Sequence, residues 1–158
     1  MSVTLKKKIA VGSDMNAHLT DVVVEELEKM GHDVTPFGAL VETPALWSKV
    51  ATDVAQKVAA GEFDQAVLFC WTGTGISLAA NKVPGIRAAL CHDAETARGA
   101  RLWNDANILA MSIRAVSAEV AKEILSAWFS AAPSKDSEDV ASLAYLAEVE
   151  KKYRVKSE

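Results

Sequence analysis

Short β-branched runs alternate along the chain with longer segments whose apolar residues recur at helical spacing. Residues 9–12 read as a first strand. Across 17–30, Leu19, Val22, Val23, Leu27 and Met30 fall on one helical face, and Gly31 supplies a left-handed stop. Residues 33–37 form a short second strand. Thr43-Pro44 reads as an N-cap followed by proline in the first turn. The helix it opens carries Leu46, Trp47, Val50, Val54 and Val58 on one side and closes at Gly61.

A third strand over 65–70 ends on Cys70, and the segment from Gly73 to Gly75 leads into a helix through Ala80. Pro84-Gly85 turns the chain into a fourth strand, 86–91. Asp93 is placed to cap a helix through Trp103, with Glu95 in its first turn. Residues 107–111 form a fifth strand. Ser117 caps a helix that buries Val120, Ile124, Leu125 and Trp128. Pro133 breaks the polar stretch 131–137, and a last helix runs from about Glu138 to Tyr153. Five such alternations imply an α/β fold with a five-stranded parallel sheet covered on both faces. The pattern leaves the strand order open.

Composition narrows the function classes. The chain has 158 residues, enough for one domain with a proper core. Its net charge is −4 and its only basic run is Lys6-Lys7-Lys8, so nucleic acid and anionic membrane are not expected partners. No apolar stretch reaches membrane-spanning length, and the apolar run after the first lysines is too short for a signal peptide. Cys70 and Cys91 form no CxxC or Cys/His metal spacing, which reads as free thiols in a cytoplasmic protein.

In an open parallel sheet, ligands bind beyond the carboxyl ends of the strands. That rule selects residues 12–15, 70–75, 91–93 and 111–114. The stretch from Cys70 through Trp71, Thr72, Gly73, Thr74 and Gly75 is the most informative. Small residues let backbone N–H groups approach an anion, and a thiolate beside them suits proton abstraction next to a carbonyl. Other uses fail on spacing. A Cys-x5-Arg phosphatase loop would need arginine where Ile76 stands, and a Walker A loop needs a lysine after its last glycine. The residues alone leave a second reading open, in which Cys70 is a small core residue and the glycines only turn the chain.

The segments CWTGTGISLAANKVPGIRAALCHD, NDANILAMSIR and IAVGSD resemble the ribose-5-phosphate isomerase B / galactose-6-phosphate isomerase family over roughly Lys8 to Ala132. The resemblance implies a three-layer αβα sandwich, Rossmann-like, and cofactor-free aldose–ketose isomerisation of a small phosphorylated sugar, with no metal. It also implies a homodimer or tetramer with active sites at the subunit interface. On that basis residues 1–132 form the isomerase domain. Residues 133–158 form an extra C-terminal helical tail that packs on a partner subunit through Val140, Leu143, Leu146, Val149 and Tyr153.

Carried over residue by residue, Cys70 matches the base that moves a proton between C1 and C2 through an enediol. Thr72 matches a loop residue near the reacting end, and the stretch from Trp71 to Gly75, followed by Ser77, matches the anion-binding loop and helix start. Asp14 and Asn104 match substrate-binding positions, and Arg114 a basic residue near the phosphate.

The departures are equally informative. Met15 and Trp103 stand where the family has histidines, the second of which opens the furanose ring. Trp71 replaces a glycine, and the tail lacks the family's pair of arginines. One implied outcome is an inactive sugar-phosphate-binding or partner subunit. The other is a substrate that needs no ring opening: the O4 of a tetrose 4-phosphate carries the phosphate and cannot close a furanose. Trp71 and Trp103 then line a smaller site with Met15. Trp47 and Trp128 are expected in core or interface and Cys91 in the core. His18 and His92 are secondary candidates for the site, and His32, just after a helix-ending glycine, is expected at the surface.

Overall fold

A computed structural model describes residues 5–41 and 44–154. The alternation resolves into β1 (Lys8–Ser13), α1 (His18–Lys29), β2 (Asp33–Gly38), α2 (Trp47–Ala59), β3 (Gln65–Cys70), α3 (Thr74–Ala80), β4 (Ala88–Leu90), α4 (Ala94–Asn104), β5 (Ile108–Ser112), α5 (Ala118–Ser130) and α6 (Ser137–Tyr153). All four strand pairings are parallel, in the order β2-β1-β3-β5-β4. Every residue of β3 and β5 is buried, as central strands covered on both faces must be.

The two faces have separate cores. On one, Val23 and Leu27 of α1, Ala97 and Ala100 of α4, and Ile124, Leu125 and Trp128 of α5 pack against Ile9, Val11, Phe69 and Met111. On the other, Val50, Val54 and Val58 of α2 and Ile76 and Ala80 of α3 pack against Ala10, Leu68, Cys70 and Ala110. Trp128 is in the core as expected, and its indole N–H is satisfied by Gln65 Oε1 at 2.8 Å. Cys91 is also a core thiol. Burial pushes it up to about 12, with the Asp93 charge acting in the same direction.

Several boundaries move for local reasons. α2 starts at Trp47 rather than at Pro44: its N-cap is Leu46, in an extended conformation, and Thr43 lies outside the described residues. β4 keeps only three residues because it is an edge strand paired with β5 alone, while the Ile86 N–H is spent on the Val83 carbonyl in the preceding turn. β5 begins one residue late. The Asn107 side chain stitches that turn instead, accepting from the Arg87 N–H at 2.8 Å and donating to the Gly85 carbonyl at 2.9 Å. The cap assignments at Asp93 and Ser117 hold, each side chain accepting an N–H from the first turn.

His32 is a correction. Only 5% of it is exposed, with its ring 4.5 Å from that of Phe129 and its Nδ1 accepting the Lys7 N–H at 3.2 Å. Gly31, at φ +90°, turns the chain inward beneath α5. Helix α6 has no buried residue. It is tied to the body by Glu150, which accepts the Gly85 N–H at 2.8 Å, and by the Ser134 N–H, which donates to the Leu102 carbonyl at 2.7 Å.

Candidate functional site

In an open parallel sheet a ligand crevice is expected at the carboxyl edge, at the point where the strand order reverses. From β1 the chain moves outward to β2 on one side, and β3, β5 and β4 occupy the other, so the order of strand addition reverses between β1 and β3 while every strand stays parallel. At such a switch point the flanking loops part and leave room for a ligand. The loops here are the ones beginning with Asp14 and with Trp71.

Ser13, fully buried at the end of β1, shapes the first loop. Its hydroxyl donates to the Met15 carbonyl at 2.6 Å and accepts the Met15 N–H at 3.2 Å, a two-residue turn that presents Asp14. One carboxylate oxygen, Asp14 Oδ1, is buried without a partner. Burial raises the Asp14 pKa above the ordinary carboxylate value, opposed by a backbone hydrogen bond.

In the second loop Cys70 is 5% exposed, at the last position of β3 and on the face covered by α2 and α3. Trp71 and Thr72 are exposed. Gly73 turns the chain into α3 at φ +75°. A Cβ there would lie 2.5 Å from Leu90 Cδ1 and 3.0 Å from the Met111 carbonyl carbon, so the position excludes side chains by conformation and by space. The hydroxyls of Thr72 and Thr74 are 2.7 Å apart, and the Ser77 hydroxyl is turned back onto the Thr74 carbonyl at 2.9 Å. The Trp47 indole lies against Gly75, 3.1 Å from where a Cβ would sit, so this half-exposed tryptophan packs on the site loop rather than in the core.

The turn after β5 fastens the loop from the other side. The Ile113 N–H donates to the Cys70 carbonyl at 3.1 Å, and the Arg114 N–H to the Trp71 carbonyl at 2.9 Å. Arg114 itself is exposed at this edge. Ser112, in register with Cys70 and 2% exposed, donates its hydroxyl to the same Trp71 carbonyl at 3.0 Å. Sequence reasoning took this stretch for its arginine and missed Ser112. The available signal was a hydroxyl closing an otherwise apolar strand.

Trp103 and Asn104 are not brought to this crevice by their own chain. α4 starts at the carboxyl edge of the sheet and returns to the amino edge. There Arg87, the residue before β4, donates from Nε to the carbonyls of Asn104 at 3.1 Å and Asp105 at 2.9 Å. The five residues of β5 separate that edge from the Cys70 end by about 16 Å. The Trp103 indole folds over Gly99, with the Arg98 guanidinium 5.6 Å from its ring. His92 is exposed beyond β4, with β5 between it and β3, about two strand spacings or ~10 Å from Cys70. His18 is exposed at the start of α1.

Among the described residues no three His, Cys, Asp or Glu side chains converge where they could hold a metal ion, and no helix is long and apolar enough to cross a membrane.

Residues 9–143 match the model of the Ribose/Galactose Isomerase family. The chain is 41% identical to ribose-5-phosphate isomerase B of Escherichia coli over 79% of its length and 85% of that protein. It is 38% identical to D-erythrulose-4-phosphate isomerase of Pectobacterium atrosepticum over 78% of its length and 82% of that protein. The structure of ribose-5-phosphate isomerase B from Clostridium thermocellum superposes with a TM-score of 0.86 at 38% identity, covering 93% of this chain and 99% of that one. With the parallel five-stranded sheet and the loop arrangement above, these matches establish that the chain belongs to the ribose/galactose isomerase family and is an aldose–ketose isomerase.

Proposed function

We propose that the chain interconverts the aldose and ketose forms of a tetrose 4-phosphate without a cofactor, with Cys70 as the base. The observation that carries the reaction is the crevice between β1 and β3, where Cys70, the amides after it and Asp14 share one sheet edge. In the aldose-to-ketose direction the Cys70 thiolate takes the C2 proton. The released electron pair forms the C1–C2 double bond of an enediol as the C1 carbonyl oxygen gains a proton. Return of the proton to C1, with loss of the O2 proton, makes the ketose. N–H groups of residues 71–75 offset the charge growing on oxygen, Asp14 orients a sugar hydroxyl, and Arg114 faces the phosphate.

The site is completed by a second copy in a homodimer, which brings Trp103 and Asn104 from its own α4. The distance between the two ends of one chain supports that arrangement. Support for the four-carbon substrate comes from Trp103, which occupies the position of the family's ring-opening histidine, and from Trp71, whose bulk sits on the loop after Cys70. The Pectobacterium relative named for a four-carbon sugar phosphate points the same way.

The test is hydrogen exchange from solvent into four-, five- and six-carbon sugar phosphates, with and without Cys70→Ala. Rapid exchange into erythrose or erythrulose 4-phosphate that disappears in Cys70→Ala supports the proposal. Faster turnover of ribose 5-phosphate overturns the substrate, exchange surviving Cys70→Ala overturns the base, and exchange into none of them favours a non-catalytic binding subunit.

A further inference from the structure

The Ser112 hydroxyl has two hydrogen bonds and both serve the loop edge. It accepts the Ala115 N–H at 3.0 Å and donates to the Trp71 carbonyl at 3.0 Å. A serine hydroxyl has a single proton to donate, so that donation is committed to Trp71. The Trp71 carbonyl also accepts the Arg114 N–H at 2.9 Å, so its two donors come from the last residue of β5 and the turn that follows it.

A trans peptide is planar, with its C=O and N–H antiparallel. Holding the Trp71 carbonyl toward β5 therefore directs the Thr72 N–H away from β5, across the end of β3 toward β1. That is the side on which β1 presents Asp14, whose Oδ1 is buried without a partner. Chain connectivity alone does not impose this orientation. The preceding carbonyl, that of Cys70, is held by Ile113, but the Trp71–Thr72 peptide belongs to an exposed loop that turns at Gly73.

We propose that Ser112 is a positioning residue for the isomerisation: it fixes the Trp71–Thr72 peptide so that the Thr72 N–H faces the crevice where negative charge grows on the sugar oxygen. This rests on the reading of the Cys70 loop as the reaction centre. A donor aimed at charge that develops in the transition state accelerates the chemical step more than it tightens binding of the neutral carbonyl. Ser112 then acts on kcat through a peptide group, without touching substrate.

The experiment compares Ser112→Ala and Ser112→Thr in the intact protein, by steady-state kinetics on the sugar phosphate that turns over fastest and by the amide resonance of Thr72. Ser112→Ala is expected to lower kcat roughly 10- to 100-fold, to leave KM within about twofold, and to shift the Thr72 amide. Ser112→Thr, which retains the hydroxyl, is expected to recover most of kcat and the original resonance. Wild-type kcat in Ser112→Ala, or an unmoved Thr72 amide, overturns the proposal. So does a folded Ser112→Thr, judged by its melting, that is as slow as Ser112→Ala. If Cys70→Ala is inactive and Ser112→Ala is not impaired, only the positioning role falls. If Cys70→Ala retains exchange, the underlying reading falls, and the Thr72 amide still reports whether Ser112 holds the peptide.

Discussion

Cys70 and Trp103 stand at opposite ends of one sheet, the first closing β3 and the second in the last turn of α4, which has returned to the edge where β5 begins. If a site uses both, it draws them from two chains. Mixing Cys70→Ala with Asn104→Ala should then restore activity that neither variant has alone. In a mixed dimer one site carries both lesions and the other carries neither. Random exchange should recover about a quarter of the wild-type rate, since half of the dimers are mixed and each has one intact site. The measurement is isomerase activity after subunit exchange, and no recovery would mean that Asn104 serves its own chain or none.

Asp14 should show a conflict between stability and activity. Burial raises its pKa in the folded state. The stability it contributes is therefore fully present below its unfolded value and is lost as pH rises through the folded value, because ionisation leaves a charge with poor solvation. Asp14→Asn should melt higher than wild type at pH 7–8, with the advantage shrinking as pH falls toward 4, while turnover drops. Melting curves across that range, paired with kinetics, check both halves.

Gly73→Ala should cost roughly 2–4 kcal/mol. The position combines a φ of +75° with Cβ approaches of 2.5 Å to Leu90 and 3.0 Å to the backbone of Met111. Urea denaturation measures the loss. A change below about 1 kcal/mol would mean that the loop relocates freely.

His32 gives the fold an acid-sensitive point away from the crevice. Burial first, then the charge of Lys7, lowers its pKa from 6.5. The unfolded chain therefore takes up the proton first, so stability present above 6.5 declines as pH falls toward the folded value. The melting temperature should fall more steeply from pH 7.5 to 5 in wild type than in His32→Gln. Parallel curves would assign the acid sensitivity elsewhere.

Local patterns were legible where the determining physics is local. Five consecutive apolar residues after Gln65 mark β3, and Asp93 and Ser117 cap the helices that follow them because a short side chain needs only the next turn to bond. Strand order is a long-range property. It decides that Ser112 flanks Cys70 and that His92 stands one strand further away, which spacing along the chain cannot express. His32 was misplaced because its burial depends on Phe129, nearly a hundred residues distant. The separation of Trp103 from Cys70 was readable in principle: a helix leaving the carboxyl end of one parallel strand must end near the amino end of the next.

The segregation of the two cysteines onto opposite faces of the sheet also separates their reactivity. Cys91 is fully buried with its thiol pushed up to about 12, and Cys70 keeps only 5% of its surface, so a maleimide or alkylating dye should react slowly with the folded chain and at Cys70 first. A label on Cys70 would sit beside the half-exposed indole of Trp71. Quenching of that indole would then report the labelling itself, and a sugar phosphate held in the crevice should slow it.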